Sequence, residues 1–489
     1  MANWINRAIS QVSPQWALRR EKAALALEIV RRGYEGASAG RRTQGWRKTL
    51  SDANAETWKA GGQLRNVARD LVRNNPYAAS ALNTITDHAI GTGIQPSEEL
   101  DIWKAWAETT ECDADGQNDF YGLQKLVMRT VVESGECLIR RRVRTRPEER
   151  FPLPLKLQVL EPDFLDSTKD GPGTNGGRII QGVEFNPIGQ RVGYWLFKDH
   201  PGAMNGTSLQ SSFVPAEGVI HVYRAQRPGQ VRGVSWFAPV LLRFKDFDDF
   251  EDATLMKQKI AACLAVITSD VDGSAIPLGV GDPASQIDSL EPGMIANMPP
   301  GRAVTVVQPP NVTDYPEYSK TQLRAIATGL DVTYEDLTGN YDGLPFSAAR
   351  MSRIRHWAKV ESWRWQMMIP QFMDPAWDWM VQSAGIVGVN IPARTEWNAP
   401  PMPMVEPDKE GLAIMRNVRA GIDTMQSAVR SRGYVWKRFI KEYAEGFKDL
   451  DAAGIVLDSD ARQMTQAGQA QQQGGQQPTT ATPAVEEDT

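Results

Sequence analysis

Apolar and polar positions along this chain follow two different rhythms, and the text switches between them several times. Glu136–Val143 and Leu155–Leu160 alternate with period two and predict half-buried strands, while the unbroken apolar run Val219–Tyr223 predicts a fully buried one. Gln63–Ala89 and Gly122–Ser134 carry helical spacing, and with Pro/Gly turns between them the stretch from about 66 to 236 reads as an α+β domain. From Phe237 to about Thr268 nothing breaks a helix, which predicts about 30 residues and a rod of roughly 45 Å. Within it Phe244, Phe247 and Phe250 fall three apart, and Asp246, Asp248, Asp249, Glu251 and Asp252 occupy the rest of the circumference. That spacing predicts a Phe stripe that packs and acids that face water.

The rhythm changes again further along. Asp270–Gln308 is rich in Gly and Pro with short β-prone runs at Gly293–Met298 and Ala303–Val307, and a second helix is predicted over Glu317–Leu330. Gly339–Ser347 reads as a flexible loop before a helix over Ala348–Ser383, interrupted at Pro370 and Pro375. Trp357, Trp363, Trp365, Trp377 and Trp379 punctuate that helix and point to a large core rather than a base-stacking surface. Val405 to about Gly454 is helical again, and Gln463–Thr489 has the Gln/Gly/Thr-rich composition of a disordered tail. At the other end, residues 1–65 are rich in Arg, Ala and Gly, with an amphipathic helix predicted over Gln15–Arg32, and read as a peripheral arm.

Composition narrows the classes. With 489 residues, 41% of them hydrophobic, the chain has material for two or three cores. Its three cysteines, Cys112, Cys137 and Cys263, are odd in number and far apart, which argues against a disulfide framework. No uninterrupted apolar segment near the start suits a signal peptide, and no run reaches the roughly 18 apolar residues of a membrane span, so neither export by that route nor a membrane partner is expected. The formal net charge of −5, from 54 basic and 59 acidic residues, is the wrong sign for a protein that grips nucleic acid through phosphate contacts.

Several motifs invite chemistry. Gly171-Pro172-Gly173-Thr174-Asn175-Gly176 has the Gly-x-Gly-x-x-Gly pattern, but the following residues read as a strand rather than the helix N-terminus that a pyrophosphate needs, so a loop is expected. No Gly-x-x-x-x-Gly-Lys-Ser/Thr loop occurs to cradle the phosphates of ATP. Glu161, Asp163 and Asp166 could converge on a nuclease metal, yet only Lys169 is near in sequence, and turn carboxylates around Pro162 are the simpler reading. Of the histidines His88, His200, His221 and His356, no pair has ligand spacing on one element, and His221 on its apolar strand is expected to be a hydrogen-bonded structural residue. Catalytic residues, metal and cofactor are therefore all expected to be absent. The strongest basic cluster runs from Arg140 to Arg150; on a strand Arg140, Arg142 and Arg144 form one row and Arg141 falls on the other face.

One block is diagnostic. In VIHVYRAQRPGQVRGVSWFAPVLLRF, Val219–Phe244, a strand breaks into an Arg- and Gly-punctuated loop and feeds a long helix, with Pro239 near the first turn. His221, Tyr223, Arg227, Pro228, Gly229, Gln230, Arg232, Gly233 and Ser235 closely resemble the corresponding block of the lambda-type phage portal protein family. Arg69–Pro96, Gly182–Trp195, Leu290–Val306, Gly339–Arg350 and Glu406–Gly421 are similar to further blocks of that family, in its order, so the resemblance covers roughly residues 5 to 455.

The resemblance implies a fold and a role. The expected organisation is an N-terminal peripheral arm (1–65), a wing (66–236), a first stem helix (237–269), a small β-rich clip (270–310), a second stem helix (311–337), a tunnel loop (338–347), a helical return to the wing (348–403), a helical crown (404–455) and a disordered tail (456–489). It implies a homo-oligomeric ring, of twelve subunits, at one capsid vertex, through which double-stranded DNA is packaged and ejected. The expected partners are the terminase large subunit, head-tail connector and neck proteins and the major capsid protein; the expected location is the virion, with assembly in the host cytoplasm. Asp246, Asp248, Asp249, Glu251 and Asp252 would form an acidic stem surface, on the lumen or on the outer wall. Asn340, Tyr341, Asp342, Gly343, Leu344, Pro345 and Phe346 would form the tunnel loop, and Arg140, Arg142, Arg144, Arg227 and Arg232 would touch DNA or a neighbouring subunit. The rival readings are a DNA-processing enzyme of the packaging machinery, either nuclease or ATPase, and another minor head or neck protein.

Overall fold

A computed structural model of the chain describes residues 50–144, 153–204, 206, 210–262, 265–270, 302–307, 315–457, 460 and 462. The helix predicted over Gln15–Arg32, the β-prone run Gly293–Met298 and the tail from Gln463 lie outside the described residues.

Where one helix was expected over Gln63–Ala89 there are two, α1 (Ala53–Asn74) and α2 (Pro76–Ile90). Pro76 has no N–H to continue α1 and disfavours helical backbone at the residue before it, and Asn75 turns extended at φ −109 and ψ 121. Its side-chain oxygen then accepts the Ala78 N–H at 3.0 Å and starts α2 afresh. After β1 (Gln95–Pro96) and α3 (Asp101–Ala107), α4 (Phe120–Ser134) is capped by Asp119 at one end and closed by Gly135 in the left-handed region at the other.

Gly135 delivers the chain straight into β2 (Glu136–Arg142), the central strand of an antiparallel sheet between β3 (Lys156–Leu160) and β9 (Val219–Tyr223). Because side chains alternate across the pleat, Cys137 and Ile139 join the larger hydrophobic core and Leu138 joins a second one. The second core lies under a five-stranded meander: β4 (Gly171–Pro172), β5 (Arg178–Ile180), β6 (Val183–Phe185), β7 (Arg191–Phe197) and β8 (Ser211–Pro215). The Gly-x-Gly-x-x-Gly pattern falls on β4 and the turn after it and leads into β5, so it is a loop between strands. Cys112 and Cys137 are buried as free thiols.

The long helix is shorter than its sequence pattern predicts. Phe237–Val240 form turns, α5 spans Leu241–Ala262, or about 33 Å, and Ala265–Asp270 is a strand, β10. The β-branched run Val266-Ile267-Thr268 suits a pleated partner better than a helix, and it pairs antiparallel with β11 (Arg302–Val307). The chain then forms α6 (Tyr315–Gly329) and the short α7 (Tyr334–Thr338). Phe244 and Phe247 are buried, and Phe250 packs on Tyr315 and Tyr318 of α6, so the Phe stripe is where α5 meets the body and α6.

Gly339 ends α7 in the left-handed region and a turn leads into α8 (Phe346–Trp363). Pro370 does not break the next stretch. Arg364–Met373 takes π-helical hydrogen bonds, a wider period that accommodates the missing N–H, and Pro375 sits in the first turn of α9 (Asp374–Ile386). Of the five tryptophans, Trp363, Trp377 and Trp379 are buried, Trp357 packs half-buried, and Trp365 is 49% exposed with its Nε1–H on Glu361. The aromatic centre of the core joins Trp103 to Trp377 at 5.3 Å and Phe120 to Phe372 at 5.6 Å, and β12 (Trp397–Asn398) pairs with β1 beside it. Three helices close the described chain: α10 (Pro407–Arg419), α11 (Met425–Arg430) and α12 (Trp436–Ala453).

Candidate functional site

The diagnostic block is a buried latch. Glu136, first residue of β2, is fully enclosed and accepts from Arg232 Nε at 2.7 Å, His221 Nε2 at 2.9 Å and the Gly233 N–H at 2.8 Å. Burial alone would push this carboxyl up, but Arg232 and His221 override it and hold it well below the usual carboxylate range. Burial holds His221 below its ordinary value, so the ring is neutral and gives its Nε2–H to Glu136. The expectation of a structural, hydrogen-bonded His221 is therefore met. Arg232 spends its other nitrogens on the carbonyls of Gln181 at 3.1 Å and Pro162 at 3.4 Å.

The rest of the block serves the same turn. Tyr223 donates its O–H to the Gln230 carbonyl at 2.8 Å and receives the Arg191 guanidinium from β7. Gln230 accepts the Gln226 N–H at 2.8 Å and donates to the Arg232 carbonyl at 2.8 Å, closing the Arg227–Gly229 loop on itself. Gly233 is required by close approach: a Cβ there would stand 2.1 Å from the Gly135 carbonyl oxygen. Ser235 Oγ accepts the Phe237 N–H at 3.2 Å where the chain turns toward α5. The helix block contributes too, since Arg69 reaches Ser134 Oγ at 3.1 Å and Asp163 at 2.6 Å.

These contacts correct one assignment. Arg232 is 4% exposed and ion-paired inside the chain, so it has no surface to offer DNA or a neighbour. Arg227, in contrast, is exposed and pairs with Glu56 at 3.0 Å. Of the Arg row, Arg140 and Arg142 are half-buried, Arg142 donates to Gln158 at 2.8 Å, and Arg144 is exposed. Arg141, on the opposite face as its register predicts, donates to Gln382 at 2.6 Å and lies over the Trp379 ring.

The five acids of α5 divide. Asp246, Asp249 and Asp252 are exposed, but Asp248 accepts from Asn75 at 2.7 Å and Glu251 from the Tyr315 O–H at 3.1 Å, both half-buried. The expectation that all five face water is corrected: positions 248 and 251 lie on the side where Phe244 and Phe247 pack. Partial burial and the neighbouring acids raise the carboxyls of Asp248 and Glu251. In the expected tunnel loop, Asn340, Tyr341, Asp342, Gly343 and Pro345 are exposed, the Asn340 side chain accepts the Asp342 N–H at 2.8 Å, and Gly343 is left-handed. Leu344 is half-buried, and Phe346 already belongs to α8, where it is exposed.

Sequence reasoning found part of one grouping and none of a second, because their members are far apart in the chain. Glu161 and Asp163 do have basic partners beyond Lys169: Arg69 pairs with both, and Arg65 reaches Asp163 at 3.3 Å, with His200 alongside at 3.2 Å from Glu161. Asp166 turns away to accept from Thr168 and Ser211. Elsewhere His88, Asp336 and His356 come together from three helices. No signal within a single element could have announced either set.

The ion pairs and hydrogen bonds of this latch bind one backbone segment to another. The profile described as "Phage portal protein, lambda family" matches residues 39–364, and the chain belongs to that family, whose members are structural proteins rather than enzymes by class. Among named proteins it is similar to the portal protein of Escherichia phage N15, 24% identical over 86% of this chain and 91% of that one. It is also similar to portal protein B of Escherichia phage lambda, 23% identical over 86% and 91% of the two chains, and to a probable portal protein of Halomonas phage phiHAP-1, 24% identical over 87% and 88%. Among solved structures it is similar to a chain in the neck of a native gene transfer agent particle computed with C12 symmetry, with TM-score 0.48 and 14% identity over 80% of this chain and 97% of that one.

Proposed function

We propose that this chain assembles head to tail into a closed ring, of twelve subunits, at one capsid vertex, and that the ring is a passive conduit for double-stranded DNA during packaging and ejection. The observation that carries the reading is the excursion between Leu241 and Gly329. Two helices packed through Phe250, Tyr315 and Tyr318 flank the antiparallel pair β10 and β11, which supports the stem, clip, stem order expected of this family. The two strands and the segment between them would engage the terminase large subunit before packaging ends and connector or neck proteins afterwards. The wing and crown would meet the major capsid protein in the virion, after assembly in the host cytoplasm.

Surface left open on the single chain supports assembly. No residue of α10 or α12 is buried, yet Leu412, Met415, Ile440 and Tyr443 on them are large, apolar and exposed. A heterologous interface repeated around an axis would cover such surface with a second copy. Charge supports a sliding rather than a gripping contact: twelve copies at net charge −5 carry about 60 negative charges, enough to keep a duplex off a wall and free to move. The turn Gly339–Pro345 would face the DNA, and Arg140, Arg142, Arg144 and Arg227 would bridge to a neighbour or to packaged DNA.

Negative-stain electron microscopy of the purified chain, with mass measurement on the same sample, tests this. Closed rings with an axial hole wide enough for a duplex are expected. A particle that stays monomeric or dimeric even when co-expressed with its capsid proteins, or a ring without a hole, overturns the reading.

A further inference from the structure

We propose that His88, Asp336 and His356 form a binding site for a divalent transition metal of the zinc class, tying α2, α7 and α8 together beneath the Gly339–Pro345 turn. His88 Nδ1 lies 2.9 Å from His356 Nε2. One ligand atom from each of the three side chains falls within 4.8 Å of the others. Two imidazole nitrogens and a carboxylate oxygen are the donor set that suits zinc, copper or nickel better than calcium or magnesium.

The surroundings prepare the ligands. His356 Nδ1 lies 3.0 Å from the Asp331 carbonyl oxygen, which can only accept, so Nδ1 carries the proton and Nε2 presents its lone pair to the cluster. A metal-binding imidazole is oriented in this way by a backbone carbonyl. Burial holds both rings below the ordinary histidine range, in the neutral form that ligates metal. Without metal, His88 donates its Nδ1–H to His356 Nε2. To bind, His88 moves that proton to Nε2 and the two nitrogens open to about 3.3 Å, the separation set by two bonds of about 2.0 Å at a tetrahedral angle.

The three side chains also line a cavity of about 300 Å³ whose wall includes Tyr341 and Leu344 of the turn. The fourth position therefore faces open space large enough for a water molecule. Arg353 and Arg364 stand near His88 and oppose a cation, while Asp87 and Asp336 favour one. The other histidine and carboxylate grouping, Glu161, Asp163 and His200, is already neutralised by Arg65 and Arg69 and serves as the control.

The site belongs to the single chain and does not depend on ring assembly. Metal-stripped full-length protein titrated with Co2+ is expected to take up one equivalent with a visible absorption band, which Zn2+ then displaces. Asp336→Asn and His88→Gln should each weaken Co2+ binding at least tenfold, and His200→Gln should leave it unchanged. Thermal unfolding without metal checks that each variant is folded, and Asp336→Asn decides if His88→Gln is not. A folded wild-type protein with no Co2+ band at millimolar metal overturns the proposal, as does binding that survives Asp336→Asn or is lost in His200→Gln.

Discussion

Glu136 gathers three donors from two other segments onto one buried carboxylate. It sits at the end of β2 with Arg232 and His221 on it, all three buried. Removing one partner of such a pair strands a charge in a medium that cannot solvate it, so Arg232→Ala should cost about 3–5 kcal/mol in a urea titration, against about 0–1 for Arg227→Ala at its exposed pair with Glu56. The latch also sets a pH response. In the folded chain His221 takes up a proton only below its ordinary value, whereas unfolded histidine does so near roughly 6.5, so the unfolded state binds more protons as pH falls below that. Stability from His221 is therefore complete above about 6.5 and is lost as pH drops through its lower folded value. Glu136 adds a second window: its contribution is full above about 4.3, the unfolded value, and is lost as pH falls on toward its depressed folded one. The thermal midpoint should begin to fall below about pH 6.5, and His221→Gln should flatten that upper part of the curve; a profile level down to pH 5 in the wild type would refute the account. The sequence revealed this block as a unit but not that Arg232 points inward, since the carboxylate that receives it lies 96 residues away.

Elements are joined here by a few polar side chains at their ends. Asn75 caps α2 through Ala78 and donates to Asp248 on α5, so one residue sets the start of one helix and the seat of another. Asn75→Ala loses the cap, at about 1 kcal/mol, and a hydrogen bond to a charged group, at about 1.5–3, so a loss of roughly 2.5–4 kcal/mol is expected in chemical denaturation. Asn75→Asp should keep the cap yet set two carboxylates together, and recover stability as pH falls; an Asn75→Asp variant as stable as the wild type at neutral pH would exclude the coupling to Asp248. Helix and strand identity was largely legible, because period and β-branching act locally, as β2, β3, β9 and α4 show. Boundaries were less so. Pro370 reads as a break yet is absorbed by a change of hydrogen-bond period, and the run after Ala262 reads as helix until β11 offers it a partner.

At the scale of the whole molecule the acidic row of α5 is the sharpest test. Only Asp246, Asp249 and Asp252 are free of the body, and surface substitutions away from packed features usually change stability by less than about 0.5 kcal/mol each. The triple variant to Asn should therefore fold with a melting point near the wild type. On the proposed ring, a bore-facing row predicts slower DNA movement in a packaging assay as repulsion is lost, and unchanged packaging would place the row on the outer wall. Neutralising Arg140, Arg142 and Arg144 should instead weaken ring assembly or DNA retention, and an unaltered ring and packaging yield would remove them from either role.

By itself the sequence determined the family, the alternation of α and β elements and the helical pieces on either side of a β-prone insert, because these depend on short-range pattern and on blocks whose order is preserved. Only the tertiary structure decided which charges are structural and which are available. In the text Arg232 reads like Arg227, and Asp248 and Glu251 read like Asp246; folding buries Arg232 on Glu136 and leaves Arg227 exposed in its pair with Glu56, and it brings Asn75 and Tyr315 to Asp248 and Glu251. The same holds for His88, Asp336 and His356, which share no element and no spacing. The physical reason is that a charge is buried or exposed according to partners supplied from distant parts of the chain, and local pattern carries no record of them.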